Sequence, residues 1–156
     1  MKVSDCMKCN VVSIPATLTI AEAASIFVAR KVGLLPVVDE QDRPIGIVSL
    51  RDLLELELPD FVNFISDVDF VHDFGAVETT RPTPEELDRP VTTLMQPVIT
   101  VEENCGLLRA YALMLQLNLL DMLIVNGRGE LVGITSWVDI GTAILSAWQP
   151  KGNKEE

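Results

Sequence analysis

Apolar residues first gather in a short extended run, Val11-Val12-Ser13-Ile14, which Pro15 closes. The spacing then becomes helical. Ile20, Ala23, Ala24, Phe27, Val28 and Lys31 recur at intervals of three and four. Thr17 or Thr19 can cap this helix, Glu22 follows Thr19 as in a capping box, and Gly33 marks the end. Leu35-Pro36-Val37-Val38 reads as a second strand, the turn Asp39 to Arg43 follows, and Pro44-Ile45-Gly46-Ile47-Val48 reads as a third. Leu50, Leu53, Leu54 and Glu57 predict a second helix that stops near Pro59. The unit is strand, helix, strand, strand, helix.

The same order returns downstream. Gly133 lies 87 positions after Gly46, and that offset also relates Ser49 to Ser136, Asp52 to Asp139, Val38 to Val125, Ile14 to Val101 and Ser13 to Thr100. Asn126-Gly127-Arg128-Gly129 replaces the first turn at equal length. Ahead of the first strand the match slips by one residue, Met7 against Met95. Such self-similarity predicts an α+β fold (two-layer α/β units) of tandem β-α-β-β-α repeats related by a pseudo-two-fold axis. Repeat 1 covers residues 1–58, an acidic insert 59–90, repeat 2 residues 91–149, and a tail 150–156.

The insert carries eight acids against Arg81 and Arg89, and four of the five phenylalanines: Phe61, Phe64, Phe70 and Phe74. Phe61, Phe64, Ile65, Val68 and Val71 share a helical face, which predicts an amphipathic helix from about Asp60 to Asp73, then a Pro/Thr loop over Thr79 to Pro84. Over all 156 residues, 48% are hydrophobic and 22% charged, a globular balance. The net charge of −11 argues against nucleic-acid or anionic-membrane binding, both of which need a basic face. The most apolar window, Leu107 to Val125, contains Arg109, Gln116, Asn118 and Asp121, so it reads as a buried helix and a strand rather than a membrane span. Three cysteines, and no apolar leader in Met1 to Asp5, point to the reducing cytoplasm.

The candidate chemistry lies in the repeated corner Gly-x-x-Ser-x-x-Asp, at Gly46-Ile47-Val48-Ser49-Leu50-Arg51-Asp52 and Gly133-Ile134-Thr135-Ser136-Trp137-Val138-Asp139. Each copy ends a strand and opens a helix. With Leu35-Pro36-Val37-Val38-Asp39, these tandem copies resemble a pair of CBS domains, a Bateman module, from about Met7 to Gln149 apart from the insert. The resemblance implies a stand-alone regulatory module without catalysis. It implies a ligand cleft between the repeats for an adenosine-containing molecule: AMP, ADP, ATP or S-adenosylmethionine. It also implies that the adenine slot comes from the first strand and the start of the second. Those positions are Ser13, Ile14, Leu35 and Pro36 in repeat 1, and Thr100, Val101, Met122 and Leu123 in repeat 2.

The residue types suit a nucleoside. The carboxylates of Asp52 and Asp139 can accept both hydroxyls of a cis-diol, which favours ribose over deoxyribose. The hydroxyls of Ser49 and Ser136, with the free N–H groups at a helix start, can meet a phosphate. The competing reading is that Ser-x-x-Asp only caps each helix, leaving a dimerisation scaffold with empty, degenerate sites. Both roles are compatible. Repeat 1 adds Arg51, a phosphate partner or a solvated surface residue. Repeat 2 has Val138 there, with only Arg128 and Arg109 as nearby bases, so the first corner is the expected phosphate site. Asp121 replaces Leu34 and either accepts from an adenine amino group or repels phosphate. The acidic surroundings favour AMP, ADP or a cationic ligand over a metal-free triphosphate.

Other motifs carry less. Cys6 and Cys9 form a CxxC, but a structural zinc needs four ligands and only Cys105 and His72 remain. Asp67, Asp69 and Asp73 lack the Gly and Glu positions of a calcium loop. One histidine leaves little for acid–base or triad catalysis. No cofactor or metal is expected beyond the adenosine ligand, and the effector protein is not named by the sequence. Leu107 to Leu117 is apolar almost all round, and Trp137, Ile140, Ala143, Ile144, Ala147 and Trp148 follow on the last helix, so a homodimer through these helices is expected unless the insert's phenylalanines cover them.

Overall fold

The structure is a computed structural model and describes residues 1–57 and 81–149. The expected insert helix with its four phenylalanines, His72, the three calcium-like aspartates and the tail lie outside the described residues.

In the first repeat, β1 (Ile14–Pro15), β2 (Leu34–Val38) and β3 (Pro44–Ser49) form a sheet in that order, with β1 parallel to β2 and Ile14 opposite Val37. β1 is shorter than the run Val11 to Ile14. It is an edge strand, and Pro15, with no N–H to donate, closes the pairing. Helix α1 (Ile20–Arg30) connects β1 to β2. Thr19 is its cap: Oγ1 accepts from the Glu22 N–H at 3.2 Å. The helix ends at Lys31 rather than Gly33, with Lys31 in the left-handed conformation at φ 50 and its N–H on the Phe27 carbonyl. Asn118, 87 positions on, ends the matching helix of the second repeat in the same way, at φ 52. Gly33 instead offers its carbonyl to the Leu50 N–H at the start of α2 (Leu50–Leu54). A short helix, α3 (Pro84–Leu87), precedes the second repeat.

There β4 (Thr100–Glu102) runs parallel to β5 (Asp121–Val125), and β6 (Leu131–Ser136) runs antiparallel to β5. Helices α4 (Leu107–Leu117) and α5 (Trp137–Ser146) pack on each other. The expected order of strand, helix, strand, strand, helix holds in both repeats.

The compact units do not follow the repeat borders. One holds Val12–Asp39 and Ile45–Pro97; the other holds Met1–Val11, Glu40–Pro44 and the chain from Val98. Each repeat is therefore completed by the segment that precedes the other. A 3₁₀ turn at Val3–Asp5 places Val3 in a core with Leu107, Ala110, Met114, Met122 and Ile140. A 3₁₀ turn at Val91–Leu94 places Val91 in a core with Ile14, Phe27, Leu35, Val37 and Val48.

The two segments end alike. Lys8 and Ile134 exchange backbone bonds of 2.8 and 3.0 Å, as do Gln96 and Ile47. Met7 lies over Gly133, and Met95 over Gly46, where a Cβ would collide with either methionine. Val3, Met7 and Lys8 stand 88 positions before Val91, Met95 and Gln96. The one-residue slip is thus taken up in the connections to β1 and β4. Among the described residues no helix is long and apolar enough to cross a membrane.

Candidate ligand-binding corners

Each corner is built by a strand that runs into a helix start. Ser49 closes β3 and is the N-cap of α2; Ser136 closes β6 and is the N-cap of α5. Both pairs form complete capping boxes. Ser49 N–H donates to Asp52 Oδ2 at 2.8 Å, and Asp52 N–H donates to Ser49 Oγ at 3.1 Å. In the second corner Ser136 N–H and Oγ–H donate to Asp139 Oδ2 at 2.9 and 2.7 Å, and Asp139 N–H donates to Ser136 Oγ at 3.1 Å. Among the described residues every bond these carboxylates accept falls on Oδ2. The cap therefore fixes each carboxylate while leaving Oδ1 outside it, so capping and acceptance of a ligand hydroxyl are compatible.

The apolar slot positions sit differently from the polar ones. Ile14, Leu35, Val101, Met122 and Leu123 are buried, as is Pro36. Leu35 and Met122 belong to the cores, and Pro36 and Leu123 lie on the opposite strand face. Ser13 and Thr100 are exposed, and Thr100 pairs with Leu123. Arg51 is exposed and its Nε donates to Glu55 Oε1 at 2.7 Å, one turn along its own helix. It is not directed to Asp52 by any contact of the described residues.

The second corner holds a base that sequence spacing missed. Lys8 Nζ lies 3.3 Å from Asp139 Oδ2. Partial burial pushes the Asp139 carboxyl up, but the Ser136 N–H and hydroxyl, and then Lys8, outweigh this and hold it below the usual carboxylate value. Asp121 opens β5 opposite Ser136. Although it meets solvent, its partly desolvated setting raises its carboxyl; Lys8 lowers it and Asp139 raises it further. Asp121, Asp139 and Lys8 thus act on one another within one unit. The available signal was the slip itself: matching Met7 to Met95 sets Lys8 against Gln96, residues that pair beside the two corners.

Cys6 packs beneath this corner, with Sγ 3.6 Å from the Val3 carbonyl and 3.8 Å from the hydroxyl of buried Thr135. Burial, Asp139 and Asp5 push its thiol up against the lowering contact with Thr135, so it is held protonated. Cys9 is exposed, and the three cysteines are free. Among the described residues no three His, Cys, Asp or Glu side chains group to hold a metal ion.

The family model described as CBS domain matches residues 3–58 and 91–146. An uncharacterized protein of Methanopyrus kandleri, MK0525, is 28% identical over 140 residues, covering 90% of this chain. The chain spans 61% of the length of that relative. The structure of CBSX2 in complex with AMP, a CBS-pair protein of Arabidopsis thaliana, aligns at TM-score 0.68 and 24% identity, over 95% of this chain and 98% of that one. The CBS domain pair of protein MJ0100, in complex with 5′-methylthioadenosine and S-adenosyl-L-methionine, aligns at TM-score 0.67 and 20% identity, over 94% and 98%. At these identities the structural likeness bears on the fold.

Proposed function

Because the chain belongs to the CBS domain family, as a tandem pair, we propose that it is a regulatory module that binds an adenosine-containing ligand at its Ser–Asp corners and relays occupancy to a partner protein. The observation that carries this reading is the immobilised aspartate. In both corners the cap consumes Oδ2 and leaves Oδ1 as a fixed acceptor for a ribose hydroxyl. Exposed Ser13 and Thr100, and the backbone at the starts of β2 and β5 ahead of their pairing with β1 and β4, are the polar groups available to a base. The structurally similar CBS-pair proteins solved with AMP, and with S-adenosyl-L-methionine and 5′-methylthioadenosine, support the ligand class. Three free thiols suit a reducing cytoplasm. The rival reading, a scaffold with empty sites, draws on the same capping boxes, which explain Ser and Asp without any ligand.

A thermal-shift panel with AMP, ADP, ATP and S-adenosylmethionine separates the two. A ligand at a hundred times its dissociation constant adds about 2.7 kcal/mol, roughly 5–10 °C for a chain of this size. Asp52→Ala and Asp139→Ala each lose the carboxylate half of a capping box, a hydrogen bond worth about 1 kcal/mol, so each variant is compared with its own unliganded melting temperature. Absence of any shift in the wild type leaves the scaffold reading. A shift equal in wild type and both variants removes the corners from the site.

The module works as a homodimer through α4 and α5. Within a unit α4 buries Leu107, Ala110 and Met114, yet Leu108 stays 73% exposed and Leu115 65%; Trp148, just past α5, is 75% exposed. That much apolar surface on two adjoining helices fits a second copy. Sedimentation at micromolar concentration should give twice the chain mass; a monomer would remove the dimer from the proposal.

A further inference from the structure

We propose that Lys8 is the specificity-determining residue of the second corner, selecting a nucleoside monophosphate over the uncharged nucleoside. The inference rests on the function proposed above and adds which corner takes the charged ligand. The backbone pairing of Lys8 with Ile134, two residues before Ser136, fixes where its side chain starts. Its ammonium lies 3.3 Å from Asp139 Oδ2, and the side chain is 67% exposed. An ammonium has three donors; with one directed at Asp139, the rest face the solvent from which a ligand arrives. The corner thus presents a fixed acceptor, Asp139 Oδ1, beside an open cation. That pair matches a ribose hydroxyl and the phosphate of the same nucleotide.

The first corner lacks this arrangement. Gln96 occupies the equivalent place, paired with Ile47 two residues before Ser49, and its amide is neutral. Arg51, the residue expected to bind phosphate there, is bonded to Glu55. That contact runs along its own helix, whereas Lys8 lies against the corner's aspartate itself, so selection for the anion falls to the second corner. Asp121 limits its appetite. Two carboxylates against one ammonium tolerate a single phosphate better than a chain of three, because each added phosphate meets the same uncompensated negative charge.

The test is isothermal titration of AMP and of adenosine into wild type, Lys8→Gln, Lys8→Arg and Gln96→Lys. Lys8→Gln gives the second corner the residue of the first. It should weaken AMP about tenfold at one site, the worth of a hydrogen bond between charged groups, and leave adenosine within about twofold. Lys8→Arg should keep AMP binding, and Gln96→Lys should strengthen AMP at the other site. Unchanged AMP affinity in Lys8→Gln, or equal weakening of AMP and adenosine, overturns the role of Lys8 while leaving the adenosine-binding reading intact. A wild type that binds neither compound overturns both. The Lys8–Asp139 pair is solvent-exposed on the Lys8 side, so the variants should fold.

Discussion

Removal of residues 1–11 is expected to unfold the second-repeat unit while the first-repeat unit stays folded. The segment contributes fully buried Val3 to the core that contains Met114, Met122 and Ile140. It also supplies backbone bonds from Val3 to Cys105, Ser4 to Glu103 and in both directions between Lys8 and Ile134. Losing a buried aliphatic side chain alone costs several kcal/mol once its cavity is counted. Stripping the partners from these backbone groups adds about 1 kcal/mol or more for each that stays buried. The total reaches the whole stability of a small domain. Amide hydrogen exchange reads the outcome directly: protection in β5, β6 and α4 should collapse, while α1 and β2 keep theirs. Undiminished protection in β6 would show that the segment only decorates the unit.

Gly46→Ala is expected to cost about 3 kcal/mol and Gly133→Ala about 2 kcal/mol, at the upper end for an added methyl in a packed site. At Gly133 the new Cβ would sit 2.5 Å from Met7 Sδ and 3.2 Å from Met7 Cβ. A flexible thioether can retreat from this. At Gly46 it would collide with Met95 and also meet the Gln96 carbonyl oxygen at 3.0 Å. Backbone cannot retreat without breaking the Gln96–Ile47 pairing. Shortening the methionine therefore distinguishes the sites. Met7→Ala should offset most of the cost of Gly133→Ala, whereas Met95→Ala should offset only part of that of Gly46→Ala. Chemical denaturation of the singles and doubles measures these couplings; equal rescue at both sites would contradict the backbone account.

These two expectations mark where the sequence was legible. The offset of 87 exposed the repeated element order, and the run Leu107 to Leu117 gave the bounds of α4, because local periodicity and capping decide such features. The glycine of each corner was visible, but its cause was not. That cause is a methionine more than a hundred residues away for Gly133 and about fifty for Gly46. Lys8 was missed for the same reason: its neighbour Asp139 is brought to it by a pairing that no short-range pattern records. Arg51 illustrates the opposite case. Its partner Glu55 stands at i+4, a spacing readable from the sequence that was not weighed beside the phosphate role. Lys31 shows a third kind of limit, since the glycine two residues later was the better sequence signal and the chain turned left-handed before reaching it.

The exchange of leading segments also makes each repeat dependent on the other half of the chain. A chain made of one such repeat could not complete its own core, because the segment that supplies Val3 or Val91 belongs in each case to the other repeat. Two separated halves of this chain would each be whole only as a reciprocal pair, each lending its first residues to its mate. The same holds for charge: the cation at the second corner, Lys8, arrives with the half that carries the first.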